Sequence, residues 1–169
     1  TISAVQRTIQ VPLDPPPTSN ELAAIKSELT AHRGDPDTIP DTPQGKWSIS
    51  ELAWVDELQH AIAQNKVPAA VPATLTAIRL GGIYAIAFPF EIYSQIGLDV
   101  RQHLEPHQVI IAGYTNGLIG YAPTARAKQQ GGYGPSSSHR FFPQLLTSLG
   151  MDAEPTLVRQ AVDLLKSLD

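Results

Sequence analysis

The sequence contains no cysteine. Disulfides, thiolate zinc sites and cysteine nucleophiles are therefore excluded together. Charge is also scarce: 17% of the residues are Asp, Glu, Lys or Arg, with a formal net charge of -4. No basic stripe is available to neutralise phosphates, which argues against a nucleic-acid partner. Long apolar runs are missing as well. The best, Leu75 to Phe90, is interrupted by Arg79 and Gly81-Gly82 and is too short to span a bilayer. There is no G-x-S-x-G elbow and no Ser-His-Asp order. The glycine-rich stretch Gln129 to His139 has no Walker lysine, so it is a poor phosphate cradle. No signal peptide and no internal repeat is visible.

What remains is a chain of 169 residues with 42% apolar content, enough for one domain with a real core. Near the start, Val5, Arg7, Ile9 and Val11 alternate with Gln6, Thr8 and Gln10, a strand pattern. A chain that begins inside a strand with Thr1 is expected to be a processed product or a fragment. Pro12 to Asn20 reads as a stiff, extended linker. A helix is expected from about Asn20 to His32, with Leu22, Ile25 and Leu29 on one face and Ser19 or Asn20 as its cap. Arg33 to Gly45 reads as loop. Ser48 and Glu51 have capping-box spacing and predict a second helix to about Gln64. Its buried stripe would be Leu52, Val55, Leu58 and Ile62, with Trp47 and Trp54 as packing residues.

The middle of the chain is more informative. "ATLTAIRL" and "IYAIAFPF" flank Gly81-Gly82 and read as a hairpin, the second strand apolar enough to be buried on both faces. From Glu91 to Leu104 the period becomes helical, with Ile92, Ile96, Val100 and Leu104 on one side. "HQVIIAGYT" is a further buried strand, and Leu157 to Leu168 an amphipathic helix. Strand, helix, strand with a long connection makes the two strands parallel. The fold class is α/β: a mixed sheet with a parallel βαβ core and helices packed on its faces.

Ligands of such sheets bind beyond the carboxyl ends of the strands. Glu91 follows one strand end, and "TNGLIGYAPT" (Thr115 to Thr124) follows the other. The two segments should meet on one edge. A lone carboxylate here has two readings: a helix N-terminal acid worth about 0.3–1 kcal/mol, or a metal ligand or general base. Tyr121, between Gly120 and Pro123, is either a positioned tyrosine or a loop tyrosine capping the core. Gln129 to His139 is a hydroxyl-rich loop of the kind that covers a site. Among the five histidines, His103 and His107 are four apart, but Pro106 breaks the helix that would align them. His32 and His60 fall on predicted helix surfaces.

The run "AIRLGGIYAIAFPFEIYSQIGLDVR…HQVIIAGYTNGLIGYAPTARAKQQGGYG" resembles the C-terminal part of the catalytic domain of the neutral/alkaline (non-lysosomal) ceramidases. The resemblance extends from about Ala77 to the chain end. Where that family has P-G-E after a strand, this chain has Pro89-Phe90-Glu91. The family's asparagine and following tyrosine fall on Asn116 and Tyr121, ahead of Pro123-Thr124. Its second tyrosine, in a Tyr-Glu pair, falls on Tyr133, here followed by Gly134. The resemblance implies a Zn2+ ion held by two histidines, a glutamate and a tyrosine, with Glu91 and Tyr121 as metal ligands. It implies Tyr133 as the catalytic group that stabilises the amide oxygen. The implied reaction is hydrolysis of an N-acyl amide, as in ceramide.

On this reading residues 1–169 form a single domain, the C-terminal section of a larger ceramidase-like catalytic domain. The two zinc histidines would come from an upstream segment or chain of the same enzyme. The family is often secreted, periplasmic or membrane-associated. The alternative is a catalytically inactive binding or structural module on the same scaffold, which Phe90 and Gly134, in place of the family glycine and glutamate, favour.

Overall fold

A computed structural model describes residues 2–169 of the chain. In chain order its elements are β1 (Ile2–Pro12), α1 (Ser19–Arg33), α2 (Pro43–Ala63), β2 (Ala70–Leu80), β3 (Ile83–Ala87) and β4 (Glu91–Ile92). Then come α3 (Ser94–His103), β5 (Gln108–Ala112), β6 (Tyr121–Ala122), α4 (Ala125–Gln130) and α5 (Ala153–Lys166). A π-helical turn at Tyr133–Ser137 and a 3-10 turn at Ser138–Phe141 lie between α4 and α5.

The main sheet has the order β1-β2-β3-β5. β1, β2 and β3 are antiparallel neighbours, and β3 and β5 are parallel. The architecture is thus mixed α/β with a parallel β3-α3-β5 unit, as the hydrophobic pattern predicts. Alternation sets which side chains turn inward. Ile9, Val11, Leu75, Ala77, Tyr84, Ile86 and Val109 enter the core, where they meet Ile96 and Val100 of α3 and Leu157, Ala161, Leu164 and Leu165 of α5. The spacing of the α5 residues gives one apolar stripe, and that stripe covers the sheet. On the outward side Thr8 and Thr74 share a hydroxyl hydrogen bond of 2.9 Å, locking the β1–β2 register.

Helices α1 and α2 form a satellite core from Leu22, Leu29, Trp54, Val55 and Leu58. It docks on the segment after Tyr133. Trp54 Nε1 donates to the Leu146 carbonyl at 2.9 Å, and the half-buried Arg140 donates to Glu51 at 2.9 Å while stacking over the Trp54 ring. The helical pair thereby props the loop that carries Tyr133.

Several expectations from the sequence are corrected. The cap of α1 is Thr18, whose hydroxyl accepts from the Glu21 N–H while Glu21 accepts from the Thr18 N–H, a full capping box. Helix α2 begins at Pro43 with Thr42 as its cap, so Ser48 lies inside it and donates to the Gln44 carbonyl. A proline at the first helical position is compatible with a helix start, because its missing N–H has no partner there anyway. Trp47 and Ile62 are exposed and Leu52 only half-buried. The span Gln129 to His139 is largely turn and helix, not open loop. Glu91 and Ile92 form a strand, and α3 starts only at Ser94, so the macrodipole reading of Glu91 is withdrawn. Strand β3 is covered on one face only: Ile83 is exposed and Ala85 half-buried.

Phe90, which stands where the resembling family has glycine, is fully buried in the main core. Its backbone has no left-handed φ that would demand glycine. The aromatic ring therefore anchors the Glu91 segment. Phe90→Ala should cost about 3–5 kcal/mol in urea unfolding, whereas Trp47→Ala should stay within about 0.5 kcal/mol. Equal losses at the two positions would contradict this assignment.

Candidate functional site

Glu91 is positioned by backbone on both sides. On one flank Phe88 N–H donates to Ala112 O (2.8 Å), Thr115 N–H to Phe88 O (3.1 Å) and Tyr114 N–H to Phe90 O (3.0 Å). On the other, Ile119 N–H donates to Pro89 O (2.8 Å), Glu91 N–H to Gly120 O (2.9 Å) and Tyr93 N–H to Ala122 O (3.1 Å). The last two bonds make β4 and β6 a parallel pair in which Glu91 is the register partner of Tyr121. Partners in adjacent strands project to the same side, about 4.8 Å apart in backbone spacing. The two residues singled out in the sequence thus meet on the edge beyond β3 and β5, where an α/β sheet binds its ligands.

Gly120 makes the close approach possible. Its φ is +155°, and a Cβ there would lie 2.7 Å from Leu145 Cδ1. Downstream, Thr124 caps α4 by accepting from the Ala127 N–H (3.1 Å), and Glu154 of α5 accepts from the Ala125 N–H (2.7 Å). Tyr121 is therefore held at both ends.

Tyr133 joins them from the π-helical turn. Its ring stands 5.9 Å from that of Tyr121, edge to face, and 6.1 Å from that of Phe141. It is exposed and lines a groove of about 600 Å³ with Trp47, Glu51, Ser137 and Phe141. A larger cavity, about 950 Å³, lies elsewhere, between α3 and α5, and is lined by none of Glu91, Tyr121 and Tyr133.

Two tyrosines that sequence reasoning passed over belong to this edge. Tyr114 has a left-handed backbone (φ 52°), as has Asn116 (φ 62°). Such a conformation is uncommon for an aromatic residue and is held here by the bonds of the clamp. The neighbouring Glu91 carboxylate, and then partial desolvation, raise the phenol of the exposed Tyr114 above its ordinary pKa. The same causes push the Tyr121 phenol up to about 12. Tyr93 fills the space beside Gly134: a Cβ on Gly134 would come 2.5 Å from the Tyr93 hydroxyl. The family's glutamate at that position would displace this phenol. No pattern in the sequence announces either tyrosine.

The histidines are scattered. His32, His60, His103 and His107 are exposed. His60 pairs with Gln64, and His103 Nδ1 with the Asp99 carbonyl. His139 is buried against the Trp54 ring, and burial, reinforced by Arg140 and Lys128, lowers its imidazole to about 4, so it is neutral at pH 7. Among the described residues, no three His, Cys, Asp or Glu side chains are arranged to hold an ion. Within this chain the donors at the edge are one carboxylate and its neighbouring phenols.

Comparison with known proteins adds one finding. No family model matches the chain, and no curated protein sequence matches it. The crystal structure of neutral ceramidase from Pseudomonas aeruginosa does resemble it, with a TM-score of 0.53 at 14% identity. The likeness covers 99% of this chain but 28% of the ceramidase chain. The chain has the fold of that part of a neutral ceramidase. Among the described residues no helix is long and apolar enough to cross a membrane.

The coupling between Glu91 and Tyr121 is directly measurable. Removing the carboxylate charge with Glu91→Gln should lower the Tyr121 midpoint from about 12 towards the ordinary value of about 10. Tyrosinate absorbance during alkaline titration reads it. A midpoint unmoved by the substitution would mean that the two side chains do not interact.

Proposed function

We propose that this chain supplies the glutamate–tyrosine half of a zinc-dependent amidohydrolase site of the neutral ceramidase type, acting on N-acyl lipids such as ceramide. One observation carries the reading: Glu91 and Tyr121 are register partners at the sheet edge, with Tyr133 beside them. The ceramidase fold supports it.

The residues at this edge are compatible with the metal. Zinc accepts carboxylate oxygen at about 2.0–2.2 Å and takes four ligands, one of them water in catalytic sites. Glu91 and the Tyr121 oxygen would be two protein ligands, and two histidines would come from another part or chain of the same enzyme. Bound zinc would acidify a water to about pH 7 and supply the nucleophile. The rest is work for this chain. Glu91 offers a carboxylate fixed by backbone on both sides. Tyr121 is held as the neutral phenol by that carboxylate, so a cation sharing the site would draw its proton down. Tyr133, exposed and braced by Tyr121 and Phe141, would donate its hydroxyl to the amide oxygen as negative charge develops. The groove formed by Trp47, Tyr133 and Phe141 offers apolar surface to an acyl chain.

A second reading is an inactive binding or structural module. The Tyr93 hydroxyl beside Gly134, where the family has glutamate, favours it.

Zinc content and turnover of an N-acyl lipid separate the two. The protein is purified without chelators and with any associated polypeptide retained. Glu91→Ala should weaken zinc retention at least tenfold. Tyr133→Phe should leave zinc unchanged and slow hydrolysis by about 10²–10³. Zinc indifferent to Glu91, or turnover indifferent to Tyr133, would refute the hydrolase reading.

A further inference from the structure

Among the described residues, four buried side-chain polar atoms have no hydrogen-bond partner in the chain. Three of them, His139 Nδ1, Arg140 Nε and Thr147 Oγ1, belong to residues that line one cavity of about 590 Å³. Buried polar groups are almost always paired, so three orphans around one space point to a common cause. His139 is 9% exposed and Thr147 3%. None of Glu91, Tyr121 and Tyr133 lines this cavity, so it is separate from the proposed metal site.

The walls are held in place. Pro15, Pro16 and Pro17 form a stiff side, because each proline ring fixes its own φ. Ile25 of α1 and Trp54 of α2 add apolar surface. The Trp54 ring is anchored by its bond to the Leu146 carbonyl at 2.9 Å and lies under the Arg140 guanidinium, 5.0 Å from its centroid. Arg140 gives Nη1 to Glu51 at 2.9 Å, which leaves the Nε–H for the cavity.

The three orphans share one capacity. The guanidinium Nε–H can only donate, a threonine hydroxyl can donate, and a neutral imidazole can carry its proton on Nδ1. Such a set complements the oxygens of an anion, and arginine is well suited to a carboxylate. The carboxylates of the wall are already engaged. Asp14 accepts from Lys128 Nζ at 2.6 Å and Ser148 Oγ at 2.7 Å, and Glu21 accepts from the Thr18 N–H at 2.7 Å. Burial is the main cause of the low His139 pKa, and among the charges that act on the ring Arg140 and Lys128 outweigh Asp14. The field at the orphans is therefore positive. It is moderate, because Arg140 and Lys128 each already have a carboxylate, and it suits one negative charge better than two. The proline and tryptophan walls suit an apolar body.

We infer that this cavity binds a small monocarboxylate with an apolar body, its head held by His139, Thr147 and Arg140.

The test titrates the chain with hexanoate and follows the His139 ring by NMR, with hexanamide and inorganic phosphate as comparisons. Hexanoate should bind saturably. At saturation it should raise the His139 pKa from about 4 towards the ordinary value of about 6.5, because an anion on Nδ1–H favours the imidazolium. Thr147→Val removes a hydroxyl that has no partner to lose, so the fold is kept. It should weaken hexanoate about tenfold, while Thr147→Ser, which retains the hydroxyl, should bind as the native chain does. No saturable binding would mean that water alone satisfies these atoms and would overturn the inference. Hexanamide or phosphate bound as tightly would overturn the choice of a carboxylate. Hexanoate undiminished by Thr147→Val, or bound without moving the His139 titration, lies elsewhere on the chain and overturns the site.

Discussion

The segment Phe88 to Tyr93 is clamped by backbone hydrogen bonds on both flanks, and the candidate site depends on that clamp. Loop residues after β5 hold one side, and Ile119 to Ala122 hold the other. Phe90 pins the segment from below by filling the core. Each restraint alone is a weak interaction, worth roughly 1 kcal/mol for a single hydrogen bond. Together they remove the freedom of a short irregular stretch, which would otherwise carry the conformational entropy of a loop. The result is a carboxylate and a phenol fixed as register partners at the edge of a sheet.

The electrostatics of that pair follow from its isolation. The Glu91 carboxylate neighbours the Tyr114 and Tyr121 phenols, and both phenols are consequently harder to ionise. In this chain the arrangement is a neutral phenol beside a carboxylate. Under the proposed function, a divalent cation in the same space would reverse the balance by stabilising both anionic oxygens at once. The helical pair α1–α2 contributes from a distance, through Trp54, Glu51 and Arg140, by fixing the segment that presents Tyr133.

Much of the fold was legible because its signals are periodic. The β3-α3-β5 unit, the hairpin at Gly81-Gly82 and the stripe of α5 all follow from apolar spacing. The meeting of Glu91 and Tyr121 followed from topology. Short elements were not legible. Glu91-Ile92 is a two-residue strand whose apolar neighbour continues smoothly into the helical period of α3, so the sequence read it as helix. The caps Thr18 and Thr42 sit beside prolines, and proline-rich context obscured valid helix starts. Strand β3 was read as doubly buried from its apolar content. The same content also fits a strand with one side left bare, and composition does not distinguish the two. Tyr114 and Tyr93 reach the site through local backbone geometry, of which a single tyrosine in sequence gives no sign.

Amide hydrogen exchange at Glu91 and Tyr93 tests the clamp most directly. These two N–H groups donate to Gly120 and Ala122, at 2.9 and 3.1 Å. If the segment is held as described, both exchange as slowly as the amide of Ile86 in the buried centre of β3, because opening them requires dismantling the sheet edge. Exchange at the rate of the exposed Gly117 turn would contradict the account, since Glu91 and Tyr121 would then be neighbours only in passing.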